Sequence, residues 1–167
     1  MPKAKYHLED FLAIVSDDGK EFVTAVHEML TQAGYKPKIQ VTKSTGTQLA
    51  YHQPKIKSVA GIVCIFFVLN NRPTIRMCGT NHKAYPDVLN SLPERLVSQI
   101  DAAANCIKFA DPERCWKGCM GYDLHINGKH YQKCIVQCFQ FDVEPDTMPY
   151  LIELIQRESQ ERMMSTI

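Results

Sequence analysis

The sequence predicts an α+β fold: an antiparallel sheet of about five to six strands with helices packed on one face, then a carboxy-terminal hairpin followed by a terminal helix. Three observations predict it. Apolar residues recur at helical spacing over residues 20–33 and 92–100, marking amphipathic helices. Between them lie short runs rich in β-branched and aromatic residues, joined by turn residues at 44–46 and 70–73. Near the carboxy end Asn127-Gly128 stands between two further strand-like runs, a type I′ hairpin signal because both turn positions require positive φ.

In chain order, residues 8–16 place Leu8, Phe11, Leu12 and Val15 at helical spacing. A clearer helix over 20–33 has Asp17 or Asp18 as N-cap, a stripe of Phe22, Val23, Val26, Met29 and Leu30, and Gly34 to end it. Runs at 38–42, 47–52, 60–69 and 74–79 read as four antiparallel strands. The third is continuously apolar over 62–68 and should be central, whereas the fourth alternates Ile75 and Met77 against Thr74, Arg76 and Cys78 and can wet one face. A helical region over 86–104 is interrupted by Pro93, and the capping-box spacing of Ser91 and Glu94 suggests a restart near 92. After a loop over 108–118, hairpin strands are expected at 122–126 and 129–143. The last helix starts near Asp146 or Thr147, buries Leu151, Ile152, Leu154 and Ile155, and frays after about Arg162.

No repeat, low-complexity tract or linker divides residues 1–167, so one domain is expected, with a cysteine-rich hairpin module at about 106–143. A chain of 167 residues can bury about 70% of its unfolded surface, so it needs no disulfide staples. Nineteen Lys+Arg against 18 Asp+Glu give a formal net charge of +1, and no Lys/Arg block occurs, which argues against nucleic acid as a partner. The longest apolar run, 59–69, is too short to span a bilayer as a helix, so no membrane partner is expected. The amino terminus lacks an apolar stretch of signal-peptide type, and the seven cysteines are odd in number. Both favour a reducing cytoplasm, where clustered thiols are metal ligands or redox groups more often than disulfides.

The hairpin gathers the thiols. With Asn127 and Gly128 as the loop, Ile126 faces Lys129, Gly121 lies opposite Cys134 and Cys119 opposite Val136. Period-two alternation then sets Cys119, Cys134 and Cys138 on one face, and Cys115 can fold back over it from the loop. Cys115, Cys119, Cys134 and Cys138 could thus form the closed tetrahedral shell of a structural zinc site, with Arg114, Lys117 and Lys133 favouring thiolates. Two other readings stay open: small hydrophobes packed in a core, and a thiol-based redox enzyme or sensor using Cys115 and Cys119. Cys64 and Cys78 read as inert fillers, Cys106 as a core residue or spare ligand, and Trp116 as a lid over the thiolates.

Cys115-x3-Cys119, the run Tyr122-Asp-Leu-His-Ile-Asn-Gly-Lys-His-Tyr131, Cys134 and Phe139-Gln-Phe141 ahead of a closing helix resemble the carboxy-terminal signature of small uncharacterised bacterial proteins with a cysteine-framed Y-x-x-x-I-x-G-K-x-Y-x-x-C hairpin. The resemblance covers about residues 106–158. It implies a cytoplasmic bacterial α+β protein and brings no established activity with it.

Of six histidines, His125 and His130 face each other across the hairpin, by default a pair on a solvated face and otherwise the geometry of a two-histidine site, with His130 as reserve metal ligand. Serine-nucleophile, phosphate-loop and dinucleotide glycine signatures are absent. Carboxylates read as solvated or capping groups. Tyr51, Arg76 and His82 lie on or beside strands bordering a concave sheet face, where Arg76 could pair with an anionic ligand. The expected function is a binding module for a small molecule or a protein partner.

Overall fold

A computed structural model describes residues 7–56 and 58–165. The polar amino-terminal stretch and the last two residues lie outside the described residues. The fold is α+β, as expected, with a five-strand antiparallel sheet, a separate two-strand sheet and a terminal helix. The elements are α1 (Leu8–Leu12), α2 (Asp17–Gln32), β1 (Lys36–Thr42), β2 (Gly46–His52), β3 (Ile62–Leu69), β4 (Arg72–Met77), α3 (Pro86–Ser91), α4 (Glu94–Ala102), α5 (Ile107–Ala110), β5 (Tyr122–Ile126), β6 (Lys129–Lys133), β7 (Gln140–Asp142) and α6 (Met148–Met164). The large sheet has the order β1-β2-β3-β4-β7, and β5-β6 forms the small one. Among the described residues no helix is long and apolar enough to cross a membrane. Contacts group the chain into two compact units, Met1–Ile75 with Asp142–Met148, and Arg76–Phe141 with Pro149–Ile167.

In the first unit α2 begins at Asp17, with Ser16 rather than an aspartate as N-cap, and buries Phe22, Val23, Val26 and Leu30. Gly34, at φ 88°, ends it: Tyr35 N donates to Leu30 O at 2.9 Å and Gly34 N to Thr31 O at 3.0 Å, the paired bonds of a Schellman motif. The β1-β2 and β2-β3 registers set Leu49 opposite Phe66 and Tyr51 opposite Cys64. Phe22 meets Phe66 edge to face at 5.8 Å, so α2 covers this side of the sheet. Asn70 and Asn71, both at positive φ, make the two-residue turn into β4.

In the second unit α3 ends at Ser91 and α4 starts at Glu94. The expected capping box is not formed: Pro93 is the N-cap, and Ser91 Oγ donates to Val88 O at 2.8 Å. The β5-β6 hairpin has the expected register, Ile126↔Lys129, with Asn127 and Gly128 at φ 50° and 80°. Its ladder ends at Tyr122↔Lys133, so no strand continues to 143. Competing bonds end it. Cys106 N donates to Gln132 O and Cys134 N to Ala104 O, both at 2.9 Å, so residues 104–106 occupy the edge of β6. Lys133, 6% exposed, donates its ammonium to Asp101 O, Ala103 O and Asn105 Oδ1, closing the carboxyl end of α4. The chain then turns, with Cys138 N bonded to Cys134 O, before β7. Arg162 in α6 is buried, and the helix runs on to Met164.

Candidate functional site: the cavity and histidine pair of the hairpin

A cavity of about 620 Å³ opens within the second unit, lined by Thr80–Ala84, Phe109, Met120–Asp123 and Ile135. A smaller one of about 350 Å³ shares His82, Lys83 and Asp123 with it and adds Pro86, Leu89 and His125. The loop bearing residues 80–84 is fixed from beneath. Glu158 of α6, fully buried, accepts from Thr80 Oγ1 (3.0 Å), Asn81 N (3.1 Å), Asn81 Nδ2 (3.3 Å), Tyr85 OH (2.6 Å) and Arg162 Nε (2.7 Å). Arg162 Nη2 also donates to Cys78 O at 2.7 Å. Burial and the adjoining Glu158 charge push the Tyr85 phenol far up, so it stays a donor.

Tyr122 closes the inner wall. Its hydroxyl accepts from Gly79 N at 2.9 Å, and its ring packs edge-on to His82 at 5.3 Å and to Phe139 at 4.8 Å. His82 is held between two carbonyls, Nδ1 at 2.9 Å from Gly79 O and Nε2 at 3.1 Å from Asp123 O. The lip of the cavity is apolar: Phe109 is 39% and Met120 76% exposed.

On the outer face of the hairpin His125 and His130 stack, ring centres 4.5 Å apart and planes at 12°. Asp123 Oδ1 lies 2.7 Å from His130 Nε2, and its Oδ2 accepts from Gln132 Nε2 at 3.3 Å. These two bonds hold the Asp123 carboxyl below the usual carboxylate range. Among the described residues, Asp123, His125 and His130 are the trio of ligand-type side chains whose donor atoms all lie within 4.8 Å of one another.

The four cysteines assigned to zinc are not gathered in this way. None of the seven cysteines is in a disulfide. The Gly121–Cys134 and Cys119–Val136 pairings that would have aligned them do not form, because the ladder stops at Lys133. Cys119 and Cys138 are buried, Cys115 and Cys134 half-buried, and burial pushes the Cys138 thiol up to about 12. Trp116 is 62% exposed, where a lid over the thiolates would be buried. Lys133, expected to favour thiolates, donates its hydrogen bonds to the end of α4, and its charge pulls the Cys138 thiol down against the larger effect of burial.

Of the three residues placed at a ligand-binding face, His82 lines both cavities. Tyr51 is wholly buried, its hydroxyl 3.0 Å from His27 Nδ1 under α2, which leaves it no surface for a ligand. Arg76 is half-buried, with Nε and Nη2 donating to Gln140 Oε1 at 3.2 and 2.8 Å. Sequence reasoning missed Glu158 and Arg162, although both continue the Leu151, Leu154, Ile155 stripe at helical spacing. No known protein-family model, curated protein or solved structure matches the chain.

Proposed function

We propose that the chain is a binding module that takes a small organic molecule, apolar in its body and anionic at one end, in the 620 Å³ cavity. The observation that carries this reading is the cavity itself. Its volume lies in the roughly 300–1,000 Å³ range of small-molecule sites, and a few polar groups converge on an apolar lining, which is how such sites fix orientation. Phe109, Met120 and Ile135 supply the apolar wall, and Lys83, exposed at the rim of both cavities, faces the anionic end. The buried Glu158 cluster supports a preformed site, because it holds Thr80, Asn81 and Tyr85 whether or not a ligand is present. Seven cysteines, none of them in a disulfide, support the cytoplasmic setting.

An NMR screen of carboxylate-bearing fragments tests the proposal. Hits should shift the amides of Thr80, Lys83, Met120 and Asp123. Filling the cavity with Ala84→Trp, at an exposed position, should weaken them at least about tenfold, or ~1.4 kcal/mol, while the melting temperature holds. A library with no hits, or hits indifferent to Ala84→Trp, refutes it.

A further inference from the structure

We propose that the outer face of the β5-β6 hairpin is a binding site for one divalent transition cation of the zinc, nickel or copper kind, held by Asp123, His125 and His130. It stands independently of the cavity reading.

The turn creates the site. In a hairpin with a two-residue loop, the residues flanking the loop, Ile126 and Lys129, form a hydrogen-bonded pair. The next pair out, His125 and His130, is therefore non-hydrogen-bonded, the class in which facing Cα atoms approach to about 4.5 Å and side chains lie closest. The stacked rings are the direct result. Asp123, two residues before His125 on the same strand, projects from the same face and reaches diagonally to His130. Three donor atoms from two strands thus come within 4.8 Å of one another. Around an ion with bonds of about 2.0–2.2 Å they need to close to roughly 3.3 Å. The two histidines are exposed and Asp123 half-buried, so side-chain rotation can achieve this without moving backbone.

The ion takes the place of the proton between His130 Nε2 and Asp123 Oδ1; that proton shifts to Nδ1, giving the other neutral tautomer, or passes to solvent where Nδ1 already carries one. Outer contacts orient the ligands. Gln132 Nε2 donates to Asp123 Oδ2, and the carbonyl of Asp123 faces His82 Nε2. Two imidazoles and one carboxylate suit borderline cations; magnesium and calcium prefer all-oxygen shells. Three protein ligands leave coordination positions open, so the ion is exchangeable and accessible to a further donor.

Cobalt(II) added to the reduced full-length protein is the test. One equivalent should bind with only weak ligand-field absorption and should broaden the amide signals of Asp123, His125, His130 and Gln132 first. Zinc(II) should displace it. Affinity should fall at least tenfold in His125→Gln and in His130→Gln and stay unchanged in the Cys115→Ser/Cys119→Ser double variant. Three results would overturn the assignment: an intense sulfur-to-cobalt charge-transfer band with broadening centred on the cysteines, equal affinity in both histidine variants, or no binding at millimolar cobalt. The broadening pattern is read on the unaltered chain, so a misfolded variant does not leave the question open.

Discussion

Replacing Glu158 with Gln probes the polar cluster under the cavity loop. The substitution keeps shape and volume but exchanges one acceptor oxygen for an NH2. Both oxygens are committed: Oε2 accepts from Asn81 N and Tyr85 OH, and Oε1 from Thr80 Oγ1, Asn81 Nδ2 and Arg162 Nε. Facing Oε2's partners, the amide meets the Asn81 N–H, which can only donate; facing the others, it meets the Arg162 guanidinium, which likewise has no acceptor. Either way a buried donor loses its acceptor, and Arg162, 4% exposed, loses the charge of the Glu158 carboxylate. A hydrogen bond to a charged group is worth about 1.5–3 kcal/mol and breaking a buried ion pair about 3–5 kcal/mol, so the loss should be about 3 kcal/mol or more. For a chain of this length 1 kcal/mol moves the melting temperature by about 2–4 °C. Thermal unfolding followed by circular dichroism should therefore show a fall of about 6–12 °C, and Tyr85→Phe, which removes one bond, should fall less. A Glu158→Gln protein melting within about 2 °C of the unaltered chain, or above Tyr85→Phe, would refute the assignment of the loop's order to this carboxylate.

Two further outcomes are expected. Gly19→Ala should destabilise by about 1 kcal/mol in urea unfolding despite alanine's better helix propensity: a Cβ there meets Val15 Cγ1 at 2.7 Å and Pro73 Cγ at 2.8 Å, and overpacking of about 1–3 kcal/mol outweighs a propensity gain of about 1; a stabilised variant would show that those neighbours yield. Cys138 gives up its proton near 12 in the folded chain and near 9 when unfolded, so its contribution is whole below pH 9 and is lost as pH rises from 9 towards 12. Alkaline unfolding curves of Cys138→Ala should lose that slope, and alkylation at pH 8 should modify Cys138 only in denaturant; ready native alkylation would contradict its burial.

Local chemistry was legible in the sequence wherever one short segment decides the outcome. Gly34 ends α2 through the bonds its positive φ permits, and Asn127-Gly128 fixes the hairpin register from Ile126↔Lys129 outward. That same register placed His125 against His130, the two histidines of the proposed cation site, although nothing in the sequence singled out Asp123 beside them. What escaped depends on distant partners. Nothing in 129–143 says that residues 104–106 will take the edge of β6, or that Lys133 will turn inward to the end of α4, and those contacts stop the ladder before it can align the cysteines. Glu158 and Arg162 look like a solvated i,i+4 pair until their phase against Leu151, Leu154 and Ile155 is followed through α6. Tyr51 alternates as a strand residue should, but the face it takes belongs to α2, where His27 meets its hydroxyl.

Surface turns are ordinarily the part of a fold where insertions and deletions do least harm, and Gly128, with nothing within 4 Å of an added Cβ, looks like such a place. Its neighbours make it the opposite. Side chains alternate with period two, so one residue more or fewer between Ile126 and Lys129 exchanges the two faces of β6: Tyr131 and Lys133 would turn to water, and His130 and Gln132 into the packed layer. Related chains that bind an ion here should therefore vary in the identity of the tip residues and not in their number, which makes loop length a filter for recognising them.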